Sequence, residues 1–281
     1  MPACVSRPGV GPGVEGEASG EYGAGNGTMR YRVLGSSGGE APGFGLSSFL
    51  LDDCVLIDTG CAAAALDISE QAKIDHILLT HSHLDHTGGL PFLADNIFGV
   101  RTGPVQVHGI ATTLDGVQRN LLNGVLWPDF SRLPSKAFPT LLYREVPEGE
   151  PFEAAGYSIT AVRVSHAVEC VAYLLQGKRG ALLHVGDTGP TEAVWRLAHG
   201  VARLRGVCIE ATFPNRLQEV ADQSGHLTPR TLRIELDKLD RDVPVYVFHL
   251  KPKFRAEIVA ELKALGRRDL HVVEDGGLLR F

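Results

Sequence analysis

The residues most able to do chemistry lie close together. Thr80–Gly89 reads THSHLDHTGG, which sets His81, His83, Asp85 and His86 within one short stretch. Imidazole is only weakly apolar and a carboxylate is costly to bury, so a hydrophobic core has little use for such a cluster. A tight turn here would aim two of these side chains at one cation and two at another. Imidazole with carboxylate and without thiolate suits Zn²⁺, with Mn²⁺ or Fe²⁺ as alternatives. The competing reading is a surface loop that happens to be rich in histidine.

Four side chains are too few for two cations, and the remainder should stand elsewhere. His166 closes the run GYSITAVRVSH, Asp187 closes ALLHVGD, and His249 closes VPVYVFH. Each would pass alone for an ordinary polar residue at a strand end. Three strands that all end in a ligand type, in a chain that also carries the cluster, point to one metal centre. Loops at strand ends are where sites sit on a rigid scaffold.

The elements that must position these residues read as short apolar runs alternating with helical stretches. Strands are expected at Tyr31–Leu34, Ser47–Leu51, Val55–Ile57, His76–Thr80, Val105–His108, Thr140–Val146, Ile159–Ser165, Val171–Leu175, Ala181–Val185, Gly206–Ile209, Val243–Phe248 and Leu270–Val273. Helices are expected at Ala111–Leu122, Glu192–His199 and Phe254–Leu265, and another opens at Thr228-Pro229, a cap followed by proline at the first helical position. Many strands with helices between them predict a layered mixed α/β fold.

Composition sets the frame. The chain has 281 residues, 44% of them hydrophobic and 21% charged, as in an ordinary globular protein. Its net charge of −6, without a long run of Lys and Arg, does not advertise a duplex-binding surface. The five cysteines form no C-x-x-C pair and leave an odd count, which suits a reducing compartment and a cytoplasmic location. Residues 1–28 are rich in Gly with a single aromatic, Tyr22, and read as a disordered extension with no secretory signal. Residues 29–281 read as the catalytic domain. No apolar run is long enough to span a membrane.

With H-x-H-x-D-H, a lone His, a lone Asp after a strand and a final His, the chain resembles the metallo-β-lactamase fold superfamily over about residues 29–281. Asp58 in CVLIDTG matches the aspartate that orients the ligand loop there. The resemblance implies an αββα sandwich with two divalent metals at one edge between the sheets. His81, His83 and His166 would hold one metal, Asp85, His86 and His249 the other, and Asp187 would bridge them. Within the superfamily, HSHLDHTGGLPFLADN and NLLNGVLWPDF resemble the class II cyclic-nucleotide phosphodiesterases, although Thr87 stands where that signature has an aliphatic residue. IEATFPN and SGHLTP supply Glu210 and His226, a pair shared by those enzymes and the tRNA 3′-processing endonucleases.

The resemblance therefore implies hydrolysis of 3′,5′-cyclic nucleotides (cAMP or cGMP). His226 is the expected proton donor, Glu210 its orienting partner, and Asp85 is counted with the catalytic residues. Trp127 and Asn123 are expected to bind substrate, within an insertion around Leu121–Phe138. The endonuclease is the alternative, but its tRNA-gripping arm lies between the third ligand and the bridging aspartate. Here positions 166 and 187 leave room only for a hairpin. A small-molecule cyclic nucleotide is the expected partner and a polynucleotide is not. The sequence leaves the oligomeric state open, a homodimer included.

Overall fold

Continuous apolar runs in this chain become strands buried on both faces. The computed structural model describes residues 28–281, and the expectation of disorder for residues 1–28 falls almost wholly outside them. In chain order the strands are β1 (Arg30–Gly35), β2 (Ser48–Leu51), β3 (Val55–Ile57), β4 (His76–Leu78), β5 (Val105–Gly109), β6 (Pro134–Ser135), β7 (Phe138–Pro139) and β8 (Leu141–Glu145). There follow β9 (Pro151–Ala154), β10 (Tyr157–Val164), β11 (Cys170–Gln176), β12 (Ala181–His184), β13 (Leu204–Glu210), β14 (Val245–Phe248), β15 (Leu270–Val272) and β16 (Leu278–Arg280). The helices are α1 (Ala62–Ala65), α2 (Ile68–Gln71), α3 (Leu84–Thr87), α4 (Leu90–Ile97), α5 (Ala111–Asn120), α6 (Ala193–His199), α7 (Gln218–Ser224), α8 (Pro229–Leu236) and α9 (Arg255–Ala264).

Two seven-stranded sheets form. The first runs β16-β1-β2-β3-β4-β5-β8 and the second β15-β14-β13-β12-β11-β10-β9, with β6-β7 a small separate ladder. β11 shows why the sheets stack. Its Cys170, Ala172 and Leu174 face the outer helices of the second sheet, while Val171, Tyr173 and Leu175 face the first sheet. Between the sheets Phe49 meets Phe248 edge to face at 5.0 Å. Each such side chain buried contributes roughly 1.5–3 kcal/mol. A third cluster joins α4 and α5 to the outer face of the first sheet through Leu90, Leu93, Leu114 and Val117. The result is the expected αββα layering.

In each sheet four of the seven strands pair in parallel, and this places the site. β3, β4, β5 and β8 pair in parallel, as do β12, β13, β14 and β15. Parallel neighbours need helical crossovers, so their carboxyl ends gather at one edge, where ligand sites form in α/β sheets. Asp58 follows β3, His81–His86 follow β4, Asp187 follows β12, Glu210 ends β13 and His249 follows β14.

Several elements differ from expectation. β4 stops at Leu78 rather than Thr80, because the Thr80 amide donates to Asp58 Oδ1 at 2.8 Å instead of to a neighbouring strand. β14 begins at Val245, after Pro244, which has no amide to give a ladder. The helix expected from Phe254 starts at Arg255, behind a 3₁₀ turn over Pro252–Phe254. Helix α8 opens as expected, Thr228 accepting from the Thr231 amide with Pro229 in the first turn. Helix α4 and the strands β9 and β16 were not foreseen.

Candidate metal centre

Strand ends fix the approach of the site side chains, and a shell of hydrogen bonds fixes their rotation. His86 Nδ1 lies 2.7 Å from Asp58 Oδ2, and His81 Nδ1 lies 3.0 Å from Thr80 Oγ1. His166 Nδ1 lies 2.9 Å from the Gly225 carbonyl, and His249 Nδ1 lies 2.9 Å from Thr212 Oγ1. In four rings the Nδ1 is held by the protein and the Nε2 turns inward. This is how imidazoles are oriented for a metal. Asp58 also accepts from the Thr80 amide and hydroxyl, each at 2.8 Å, so one buried carboxylate ties the ligand loop to His86.

Two site residues hold left-handed backbone conformations, Asp58 at φ 53° and His249 at φ 62°. Such conformations cost energy and cluster where a side chain must be aimed. Glycine makes room beside one of them. A Cβ on Gly38 would stand 2.7 Å from His249 ring atoms.

The inward atoms converge. Ligand-type atoms of His81, His83 and His166 lie within 4.8 Å of one another, as do those of His81, His86 and Asp187, and those of Asp85, His86 and His249. Asp187 Oδ2 lies 3.3 Å from both His86 Nε2 and His249 Nε2. The buried His81 Nε2 and Asp187 Oδ1 have no hydrogen-bond partner. Orphaned buried polar atoms are costly unless something else satisfies them. A donor set of imidazole nitrogens and carboxylate oxygens, turned inward and unsatisfied, fits divalent cations.

The electrostatics agree. Burial, with neighbouring imidazoles, pushes the pKa of His81 well down, and burial also lowers those of His83 and His166, which favours the neutral form that binds metal. His86 goes the other way. Burial would lower it, yet the carboxylates of Asp187 and Asp58 raise it well above its ordinary value. For Asp187 burial raises the pKa, but His249 and His86 overcome that and hold it ionised. Carboxylates that draw a proton onto an adjacent buried imidazole would attract a cation equally.

Glu210 and His226 sit beside this cluster. Glu210 is fully buried and accepts from the amides of Thr188, Thr212 and Leu227, from the Thr212 hydroxyl, and from His226 Nδ1 at 2.6 Å. Five donors exceed the roughly four lone-pair sites of a carboxylate, so Glu210 has no capacity left for a metal. His226 keeps its second nitrogen, and it shares groupings within 4.8 Å with His166 and Asp187, and with Glu210 and His249. Burial lowers the His226 pKa, but the Glu210 charge and hydrogen bond outweigh it and raise the value to about 8.

The expected substrate residues Trp127 and Asn123 are held by local contacts. Trp127 is half-buried, edge-on to Phe92 of α4 at 5.2 Å. Asn123 directs its side chain into its own turn, accepting from the amides of Val125 and Leu126 and donating to the Arg119 carbonyl. Lys251 donates its ammonium to the Gly38 carbonyl. Thr212 and Gly225, which set the rotations of His249 and His166, carry no signal of their own in the sequence, because their partners lie on other segments.

With fold and geometry established, comparison places the chain. A family model for the beta-lactamase superfamily domain matches residues 54–249, and the chain belongs to that superfamily. It is 31% identical over 135 residues to ribonuclease BN of an Enterobacter species (strain 638), a match that covers 46% of this chain and 41% of that protein. It is 33% identical over 208 residues to ribonuclease Z of Bradyrhizobium diazoefficiens, covering 56% of this chain and 65% of the relative. The crystal structure of unliganded yeast PDE1 aligns over 90% of this chain and 99% of that one, with a TM-score of 0.77 at 18% identity. That likeness shows the shared fold. The chain thus carries the metallo-β-lactamase fold, with His and Asp groups able to hold metal. No helix among the described residues is long and apolar enough to cross a membrane.

Proposed function

We propose that the chain is a dinuclear metal-dependent phosphodiesterase that hydrolyses 3′,5′-cyclic nucleotides to nucleoside 5′-monophosphates, with residues 29–281 as the catalytic unit. His81, His83 and His166 would hold one cation, Asp85, His86 and His249 the other, with Asp187 between them; Zn²⁺ suits this set, and Mn²⁺ or Fe²⁺ would also fit. When bound, such cations supply Lewis-acid charge to the phosphoryl group and acidify the attacking water.

The observation that carries the reading is the buried Glu210–His226 pair beside the converging ligands. Ring opening expels the ribose 3′-oxygen, an alkoxide, which needs a proton as it leaves. His226, its Nδ1 held by Glu210, presents its other nitrogen to give that proton, and Glu210 raises its pKa to about 8 against the effect of burial. Asp85 has a carboxylate that His249 helps to keep ionised, although burial opposes this, and it is our candidate to take the water's proton. In this scheme water adds to phosphorus, the P–O3′ bond breaks, and both oxygens end correctly protonated.

A ribonuclease reading has support in the matches to ribonucleases BN and Z. The chain, however, spans less than two thirds of the length of either relative, and its β10–β11–β12 segment favours a small substrate. Between His166 and Asp187 there are only β11, the turn closed by Gly177 and Gly180, and β12, with no inserted arm. The net charge of −6 agrees, since affinity for a polynucleotide rests largely on phosphate neutralisation. Competition kinetics with cAMP and a precursor tRNA test the choice. The phosphodiesterase reading expects kcat/KM for the cyclic nucleotide to exceed that for the tRNA; comparable efficiencies would replace it with the nuclease reading.

A further inference from the structure

Pro252 restricts the residue before it to extended backbone, and Lys251 adopts φ −64°, ψ 122°. A run of small residues is stitched alongside the segment that carries it. The His249 amide donates to the Ser36 carbonyl at 2.6 Å, and the Gly38 amide to the Leu250 carbonyl at 3.4 Å. The Lys251 amide donates to the Thr212 carbonyl at 3.3 Å. Gly38 and Gly39 put no side chain in the way. A Cβ on Gly39 would stand 3.9 Å from Lys251 Cδ, and one on Gly38 would touch the His249 ring. The Lys251 stem therefore lies along these glycines, and its ammonium donates to the Gly38 carbonyl.

This puts a cation at the border of the metal centre. Gly38, which holds the ammonium, abuts the ring of His249. Thr212, which holds the Lys251 amide, reaches His249 Nδ1 and Glu210 with its hydroxyl. The His226 ring stacks on that of His249 at 5.4 Å. Burial, and more weakly the Lys251 charge, press the His226 pKa down while Glu210 and Asp187 raise it, so the ammonium is within electrostatic reach of the expected proton donor. Lys251 is half-buried and pairs with no carboxylate among the described residues. Lys238, by contrast, is paired with both Glu192 and Glu235. A carboxylate partner cancels a lysine's charge, whereas a neutral carbonyl leaves it to act on an anion. Such a charge beside an imidazolium and a cation site is unfavourable until a phosphoryl anion arrives between them.

We propose that Lys251 is a phosphate-binding residue, whose ammonium exchanges the Gly38 carbonyl for an oxygen of the phosphoryl group held at the metal centre. The proposal rests on the phosphodiesterase reading and adds a protein group that takes the substrate's charge. A lysine is a compact point charge on a flexible stem, suited to following an oxygen that shifts as the ring opens. Because a bond to a neutral carbonyl is given up, the gain is the difference between a charged and a neutral hydrogen bond, about 10-fold in affinity.

The test compares the Mn²⁺-loaded parent with Lys251→Met, which keeps the stem without the charge, and Lys251→Arg, which keeps a charge. Metal content and melting temperature are measured for each. Affinity for inorganic phosphate is read by calorimetry, which needs no turnover. Lys251→Met should bind phosphate about 10-fold more weakly, with metal content and melting temperature unchanged. Lys251→Arg should recover most of that loss, and kcat/KM for cAMP should fall and recover alongside. Unchanged phosphate affinity in Lys251→Met, a loss that appears only together with lost metal, or an equal loss in Lys251→Arg overturns the proposal and makes Lys251 a tether for the Gly38 segment. Phosphate affinity that depends on Lys251, in a protein that leaves cAMP intact, upholds the anion contact and overturns only the cyclic-nucleotide reading.

Discussion

His226 is where chemistry and geometry can be separated most cleanly. A general acid matters in proportion to how badly the leaving oxygen needs a proton. A ribose 3′-oxygen needs one badly and a nitrophenolate hardly at all. His226→Ala should cut turnover of cAMP by roughly 10²- to 10⁴-fold and that of bis-nitrophenyl phosphate far less. Equal losses on both substrates would make His226 a binding group instead. Asp58 acts one step further out, through the Thr80 amide, the Thr80 hydroxyl and His86 Nδ1. Asp58→Asn puts a donor where three donors already point. Its metal affinity, measured by competition with a chromogenic chelator, should fall by roughly 10- to 100-fold. Unaltered affinity would show that Asp58 does not orient the ligand loop.

Helix α7 illustrates how an element sets the site. It ends at Gly225 in the left-handed conformation, φ 67°, and the Gly225 carbonyl holds His166 Nδ1 while His226 follows immediately. A Cβ there would stand 2.7 Å from His166 Cα. Gly225→Ala should therefore cost on the order of 1–3 kcal/mol in urea unfolding and lower metal content, because His166 must move. Normal stability with full metal content would show that the helix end is not a constraint on His166. Elements of this kind mark what was legible in the sequence. β11 and β13 could be read because their apolar runs are continuous. Helix α4 could not, since Gly88-Gly89 and Pro91 look like a turn, although proline is tolerated in a first helical turn. β9 and β16 are edge strands of four and three residues, too short to show a pattern. At the site, the side chains that converge could be read as strand-end residues, but Gly38, Thr212 and Gly225 could not, because the sequence does not say which segments meet.

Across the whole molecule, burial of histidine links stability to pH. His108 is pushed down to about 4 by burial and by the charges of His76 and Arg144, and His184 is pushed down to about 4 by burial. In the unfolded chain both titrate near 6.5. Below that pH the unfolded chain binds protons that the folded one refuses. The contribution to stability is therefore intact above about pH 6.5 and shrinks as pH falls toward about 4, by on the order of 2–3 kcal/mol for each histidine. Urea midpoints of chelated protein should fall across this window, and His108→Gln should flatten the slope; a flat parent profile would contradict the burial argument.

At the same scale, two layered sheets bring seven side chains from beyond the ends of four strands, β4, β10, β12 and β14, to a single edge. The claim that this edge is a metal-dependent phosphodiesterase centre is tested most directly by product chromatography on cAMP. The protein would be metal-stripped, reloaded with Zn²⁺ or Mn²⁺, and compared with His83→Ala and Asp187→Ala. The account predicts 5′-AMP from the reloaded protein, none from the stripped protein, and little from either variant. Reloaded protein that binds about two metals per chain and leaves cAMP intact would contradict it, as would variants that hydrolyse cAMP at the parent rate.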